Sequence, residues 1–289
     1  MSPFSIHPNT TVGPVYLTVS DLDRSELFYR DTIGFKVLQR QDDTLVLAAD
    51  GAPLLALTGQ PGAHRRPPRT TGLYHFAILV PSRADLARSL RRLAEMRWPL
   101  GGASDHLVSE ALYLDDPDGN GIEIYCDRPR ETWPRLAGQV QMAVDPLDLD
   151  GLLTELDRDN RPWSGLAPGT SIGHIHLHVA DLRAAEAFYH GVLGFDIMAR
   201  YAASALFISA GGYHHHIGLN IWAGIGAPPP PPDAAGLRYF AIQLPNRDEL
   251  ERLADRVRQA AIAVEQNHAG VMVHDPSQNR VLLTYPSEA

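Results

Sequence analysis

The chain repeats itself. Val19, Asp21, Leu22, Phe28, Tyr29, Gly34 and Phe35 recur 160 positions later as Val179, Asp181, Leu182, Phe188, Tyr189, Gly194 and Phe195, without a gap. A second set, Leu73, Phe76, Ala77, Ile78, Pro81 and Leu86, recurs 164 positions later as Leu237, Phe240, Ala241, Ile242, Pro245 and Leu250. Asp116-Pro117 with Asn120 matches Asp275-Pro276 with Asn279. The 289 residues therefore divide into four units, the first like the third and the second like the fourth. Any fold must be made from one supersecondary element used four times.

The unit can be read most easily in its third copy. Ile172 to Val179 alternates apolar residues with His174, His176 and His178, the pattern of a strand. Asp181 then stands where a helix N-cap belongs, and the apolar period runs to Leu193 and stops at Gly194. Strands are expected at Ala205 to Ala210 and, after Gly211-Gly212, at His215 to Trp222. The second copy gives a strand at Tyr74 to Val80, an amphipathic helix at Arg83 to Met96, and strands at Ala111 to Leu114 and Gly121 to Tyr125 about the turn at Asp116-Pro117-Asp118-Gly119. The fold class is α+β: four βαβββ modules arranged as two cup-shaped domains. The expected organisation is an N-terminal half at 1–127, a linker at 128–170 with a short helix near Leu147 to Asp157, and a C-terminal half at 171–289. Gly59 to Pro68 and the five prolines Pro228 to Pro232 act as spacers within the halves.

Composition removes several classes of function. Lys and Arg number 25 against 34 Asp and Glu, a net charge of -9, and basic runs go no further than Arg65-Arg66 and Arg91-Arg92. A nucleic-acid surface is not expected. One cysteine, Cys126, leaves no internal disulfide and no thiolate metal cage, and it is expected to be a small buried residue. No apolar run is long enough to span a membrane, and Met1 to Thr11 lacks a secretory pattern, so a cytoplasmic protein is expected.

The modules with V-x-D-L, F-Y and G-F in units 1 and 3, together with Asp116-Pro117-Asp118-Gly119-Asn120-Gly121-Ile122-Glu123-Ile124, resemble the vicinal oxygen chelate superfamily, which includes glyoxalase I, bleomycin-resistance proteins and extradiol dioxygenases. The resemblance covers essentially the whole chain. It implies a metal in the cup, held from the first strands of two units and the last strand of one or both. The matching first-strand positions are Pro14, His75, His174 and Tyr239; the last-strand positions are Glu123 in unit 2 and Leu282 in unit 4. The resemblance thus implies His75, His174 and Glu123 as metal ligands in a cup shared by units 2 and 3, within one chain or between two. Units 1 and 4 are expected to pair as a metal-free cup.

Two histidines and one carboxylate are the ligand set of non-haem Fe(II) oxygenases. A glyoxalase-type site usually takes a fourth ligand, at a position falling near Gly218, and no carboxylate lies between His214 and Trp222. Within the superfamily the closest resemblance is to two-domain catechol 2,3-dioxygenases. It implies Fe(II), with Mn(II) as the alternative, acting on catechol or a substituted catechol with O2. His215 is the base by alignment, whereas strand parity from Gly218 turns His214 and His216 inward, so His215 and His216 both stand as candidates. Tyr113 and His106 are implied as hydrogen-bonding residues, with Trp222, Phe76, Leu107 and His176 as substrate-binding wall. A homodimer is expected. The rival functions are another metal-dependent enzyme on this scaffold, of lyase or isomerase type, and a protein that sequesters a small aromatic drug.

Overall fold

The computed structural model describes residues 4–136, 139–159 and 161–286. Each unit forms the expected strand, helix and three further strands. In unit 1 the strands are Thr11–Val19, Lys36–Gln41, Thr44–Ala48 and Pro53–Gly59; in unit 2 they are Gly72–Leu79, Gly102–Asp105, Ser109–Asp115 and Gly121–Asp127. Unit 3 supplies Ser171–His178, Asp196–Tyr201, Ala205–Ser209 and Ile217–Asn220, and unit 4 Gly236–Gln243, Glu265–Asn267, Gly270–His274 and Arg280–Thr284. The linker carries two short helices, Leu149–Leu153 and Glu155–Arg158. Residues 137, 138 and 160 of the linker lie outside the described residues. No helix among the described residues is long and apolar enough to cross a membrane.

Side-chain caps start the helices. Asp21 accepts from Arg24 N–H, Ser82 from Asp85 N–H, and Asp181 from Arg183 and Ala184 N–H. In units 1 and 3 the helix does not run regularly to its end. It widens into a π-turn, Phe28–Ile33 and Ala187–Val192, before Gly34 and Gly194 take left-handed φ values of 100° and 84°. The widened turn swings Tyr29 and Tyr189 inward, where their hydroxyls donate to Asp116 at 2.9 Å and Asp275 at 3.1 Å. Each aspartate also ties its own turn, Asp116 accepting from Asp118 and Asn120 N–H. The F-Y and D-P motifs are therefore partners, joining unit 1 to unit 2 and unit 3 to unit 4.

The sheets pair across the sequence halves. Gly72–Leu79 lies antiparallel to Ser171–His178, so units 2 and 3 of one chain share a nine-stranded sheet that also takes in Asp145–Pro146. Thr11–Val19 likewise lies antiparallel to Gly236–Gln243, giving an eight-stranded sheet from units 1 and 4. The helix-facing sides of both sheets fill one continuous core, with Val15, Leu17 and Val19 from one and Phe76, Ile78 and Leu177 from the other. Fully burying each such side chain contributes roughly 1.5–3 kcal/mol. On the opposite face of the unit 1–4 sheet, Tyr16 stacks on Tyr239 with ring centroids 4.0 Å apart, beside Ala241, Met272 and Leu282.

Candidate metal centre

Three strands side by side carry the polar cluster of the unit 2–3 sheet. Ala77 pairs with Glu123 on one side and with His174 on the other. Its methyl group is all that stands between them, and the carboxylate and the imidazole meet over it. A bulge brings in the third residue. His75 pairs with His176, but the next partners are Leu73 and Leu177, leaving Tyr74 as the extra residue. Tyr74 and His75 consequently both face the cup, while Leu73 and Phe76 both face the core. Gly121 permits this, since a Cβ there would stand 2.0 Å from the Tyr74 carbonyl oxygen.

The ligand atoms of His75, Glu123 and His174 all lie within 4.8 Å of one another, the one such group among the described residues. Glu123 Oε2 is 3.0 Å from His174 Nε2 and 3.1 Å from His75 Nε2. All three residues are buried, and neither His75 Nε2 nor His174 Nδ1 makes a hydrogen bond. Burial alone would raise the Glu123 pKa, but the His174 and His75 side chains override it and hold the carboxyl well below the usual range. Burial pushes His174 down to about 4, against the pull of Glu123. The cluster thus brings an anionic oxygen together with two imidazoles, each with one orphaned nitrogen. That donor set fits a divalent cation, which satisfies a buried charge and an unpaired nitrogen together.

Above the cluster opens a cavity of about 830 Å³. Tyr113, His106, His176, His215 and Trp222 line it. His106 Nδ1 donates to the Ala143 carbonyl at 2.6 Å, so its Nε2 accepts the Tyr113 hydroxyl, also at 2.6 Å. Burial, then the Glu123 charge, raises the Tyr113 pKa well above its ordinary value and keeps the phenol protonated. His176 Nε2 accepts from Asn220 at 3.0 Å. Trp222 stands half exposed at the rim, edge-on to Tyr74 at 5.2 Å.

Three expected positions differ. Phe76 is not cavity wall: strand alternation from His75, which faces the cup, turns it into the core, where it is fully buried. Leu107 sits in a tight turn at φ 68°, and Val108 lines the cavity instead. His216 points away from the cavity, its Nδ1 accepting from Ala210 N–H at 3.1 Å beside Ser209 Oγ at 2.9 Å. The strand expected from His215 begins only at Ile217, because Gly211 and Gly212, both at positive φ, prolong the turn. Strand parity therefore does not reach back to His214, and His215 is the histidine of that run that lines the cavity. Sequence reasoning missed Tyr74, hidden by the bulge, and Asp127, whose carboxylate lies 3.0 Å from His214 Nε2. Asp127 is four residues from Glu123, and that spacing was its only trace. Cys126 is buried, as expected, and burial first, then Glu110, pushes its thiol up to about 12.

Comparison with known proteins places these features in context. Residues 11–124 and 171–282 match the family described as Glyoxalase/Bleomycin resistance protein/Dioxygenase superfamily. The chain is 51% identical over 276 residues to a catechol-2,3-dioxygenase of Bacillus subtilis (strain 168), covering 94% of this chain and 96% of that protein. It is 24% identical over 271 residues to a manganese-dependent 2,3-dihydroxybiphenyl 1,2-dioxygenase of Geobacillus genomosp. 3, covering 89% of this chain and 76% of that one. In fold it is similar to the crystal structure of glyoxalase I from Zea mays, with a TM-score of 0.57 at 15% identity over 95% of this chain and 92% of that one.

Proposed function

The chain belongs to the glyoxalase/bleomycin resistance protein/dioxygenase superfamily, and from that premise we propose that it is an extradiol dioxygenase that opens the ring of a catechol with O2. The observation that carries this reading is the convergence of His75, His174 and Glu123 at the base of an aromatic-lined cavity. The similarity to the Bacillus subtilis catechol-2,3-dioxygenase over nearly the full length of both chains supports it. His75, His174 and Glu123 would hold Fe(II), or Mn(II) as in the name of the Geobacillus relative. Bound there, the metal would supply the path for electron transfer between diol and dioxygen.

The remaining steps fall to the protein. His215, against His174 with ring centroids 4.1 Å apart, takes a hydroxyl proton from the diol. Burial lowers its pKa well below the ordinary value, with His174 adding to the effect, so it enters the reaction neutral. Tyr113 and His106 form the hydrogen-bonding pair for the diol oxygens, which gain charge as the ring is attacked. His176, Tyr74 and Trp222 hold the ring. Further out the wall is Trp98, Leu100, Met142, Val144 and Tyr201, and the lining contains no Lys or Arg. A cavity of this size and polarity suits a catechol with an apolar substituent better than one with a carboxylate, which would be buried without a counter-charge.

The test is anaerobic loading with Fe(II), removal of excess metal, then addition of catechol in air. Oxygen uptake with a yellow ring-fission product is expected, and 3-methylcatechol should be a better substrate than 3,4-dihydroxybenzoate. A metal-loaded protein that consumes no oxygen with any of these diols defeats the proposal.

A further inference from the structure

Behind His215 runs a chain of buried and part-buried hydrogen bonds that the proposal above does not use. His215 Nδ1 lies 2.8 Å from His214 Nδ1, and His214 Nε2 lies 3.0 Å from Asp127 Oδ1. Tyr213 donates its hydroxyl to Asp127 Oδ2 at 2.9 Å and stands 2.7 Å from the Tyr125 hydroxyl. His214 is fully buried, its ring 4.1 Å from that of Tyr213 and 5.2 Å from that of Trp133.

A carboxylate only accepts, so the contact with Asp127 puts a proton on His214 Nε2. On a ring whose one proton points at Asp127, His214 Nδ1 is an acceptor, and the geometry then makes His215 Nδ1–H the donor across the 2.8 Å contact. The His215 proton is thereby held on Nδ1. Its Nε2 is then the unprotonated nitrogen of a ring that lines the cavity. A His215 without this support is free to adopt the other tautomer, which offers the cavity an N–H in place of an acceptor.

We propose that Asp127 and His214 are positioning residues, an Asp–His–His relay that fixes the tautomer of His215 so that Nε2 is the proton acceptor of the site. The inference rests on the ring-cleavage reading for its consequence, though not for its geometry. When the diol O–H bond breaks, the proton forms an N–H bond at Nε2, and no proton need leave the relay. The resulting imidazolium keeps Nδ1–H directed at His214, whose own Nε2–H remains on Asp127. The logic is that of a buried aspartate orienting a catalytic histidine, extended by one imidazole.

The experiment uses the full chain labelled with 15N at histidine, metal-free and again loaded with diamagnetic Zn(II). Loss of a signal in His215→Gln assigns the ring. Wild type should show His215 protonated at Nδ1 and bare at Nε2. His214→Gln, whose amide oxygen and nitrogen stand in for the two ring nitrogens, should keep that pattern. His214→Phe and Asp127→Ala should give a tautomer mixture. With Fe(II), His214→Phe should lower kcat for catechol by about 10–100-fold with KM within about 3-fold, and His214→Gln should restore most of it. If His214→Phe does not fold, Asp127→Ala, at a partly exposed carboxylate, carries the test. A wild-type His215 protonated at Nε2, or a pure Nδ1–H form surviving in His214→Phe and Asp127→Ala, overturns the proposal. A wild type that cleaves no diol but shows the expected tautomers defeats the ring-cleavage reading and leaves the relay standing.

Discussion

Gly218 faces His176 across neighbouring strands, and a Cβ on Gly218 would stand 2.8 Å from Cγ and Cδ2 of the imidazole. Position 218 is where the sequence comparison located the missing fourth ligand of a glyoxalase-type site. No side chain fits there while His176 keeps its place. Packing thus keeps a fourth ligand out of position 218 beside the proposed set of His75, His174 and Glu123. Gly218→Ala should displace the His176 ring and break its bond from Asn220. The expected cost is about 1–3 kcal/mol, as for other overpacked interiors. In kinetics the variant should raise KM for catechol several-fold with iron content unchanged, and an unaltered melting temperature and KM would refute the argument.

The methyl group of Ala77 sets the spacing between Glu123 and His174. Ala77→Val adds two methyl groups under the cluster on a strand flanked on both sides. Retained iron, measured after desalting, should drop by at least about tenfold while the strand itself, favourable for valine, still forms. Glu123→Gln is the companion. Removing the anionic donor should abolish iron retention and ring cleavage, and full retention in both variants would mean that the metal lies elsewhere.

Much of this was legible in the sequence because a strand exposes alternate residues and a repeat fixes their positions. The α+β module and the cap at Asp181 follow from period and offset, and the cluster of His75, His174 and Glu123 from the family resemblance carried onto those repeats. What failed was wherever the period slips. The bulge at Tyr74 put a second residue beside His75 on the cup face, and the turn at Gly211 and Gly212 broke the parity that would have turned His214 and His216 inward. A bulge inserts one residue without a composition signal, and its partner Gly121 only makes sense once the Tyr74 carbonyl is seen against it.

Tyr29 and Asp116 give a stability test that leaves chemistry alone. The hydroxyl donates to a carboxylate buried in the turn, where burial raises the Asp116 pKa against the hydrogen bonds from Asn120 and Tyr29. Tyr29→Phe removes one of the bonds to that carboxylate, at a cost of about 1.5–3 kcal/mol for a bond to a charged group. Chemical denaturation should show the loss, with kcat within about twofold of wild type. Tyr189→Phe should lose a similar amount through Asp275. A loss of iron in Tyr29→Phe would mean that the turn also supports the metal cluster.

The buried histidines make the metal-free protein acid-sensitive. Burial holds His174 and His178 at about 4 and His216 at about 3, in each case far below the unfolded value near 6.5. Between those limits the unfolded chain binds protons that the folded chain refuses. Stability is therefore complete above about pH 6.5 and is lost as pH falls towards 4, at up to about 1.4 kcal/mol per histidine per pH unit. At about 2–4 °C per kcal/mol for a domain of this order, the melting temperature of the metal-free chain should fall by more than about 5 °C between pH 7 and pH 5. His178 offers the control, because it lies outside the metal set and donates to Asn220 Oδ1 at 2.7 Å. His178→Gln should flatten the curve by one proton without touching iron binding. A melting temperature constant down to pH 4.5 would mean that these rings are already protonated in the folded protein, or open to water, and the neutral His174 required of the metal cluster would go with them.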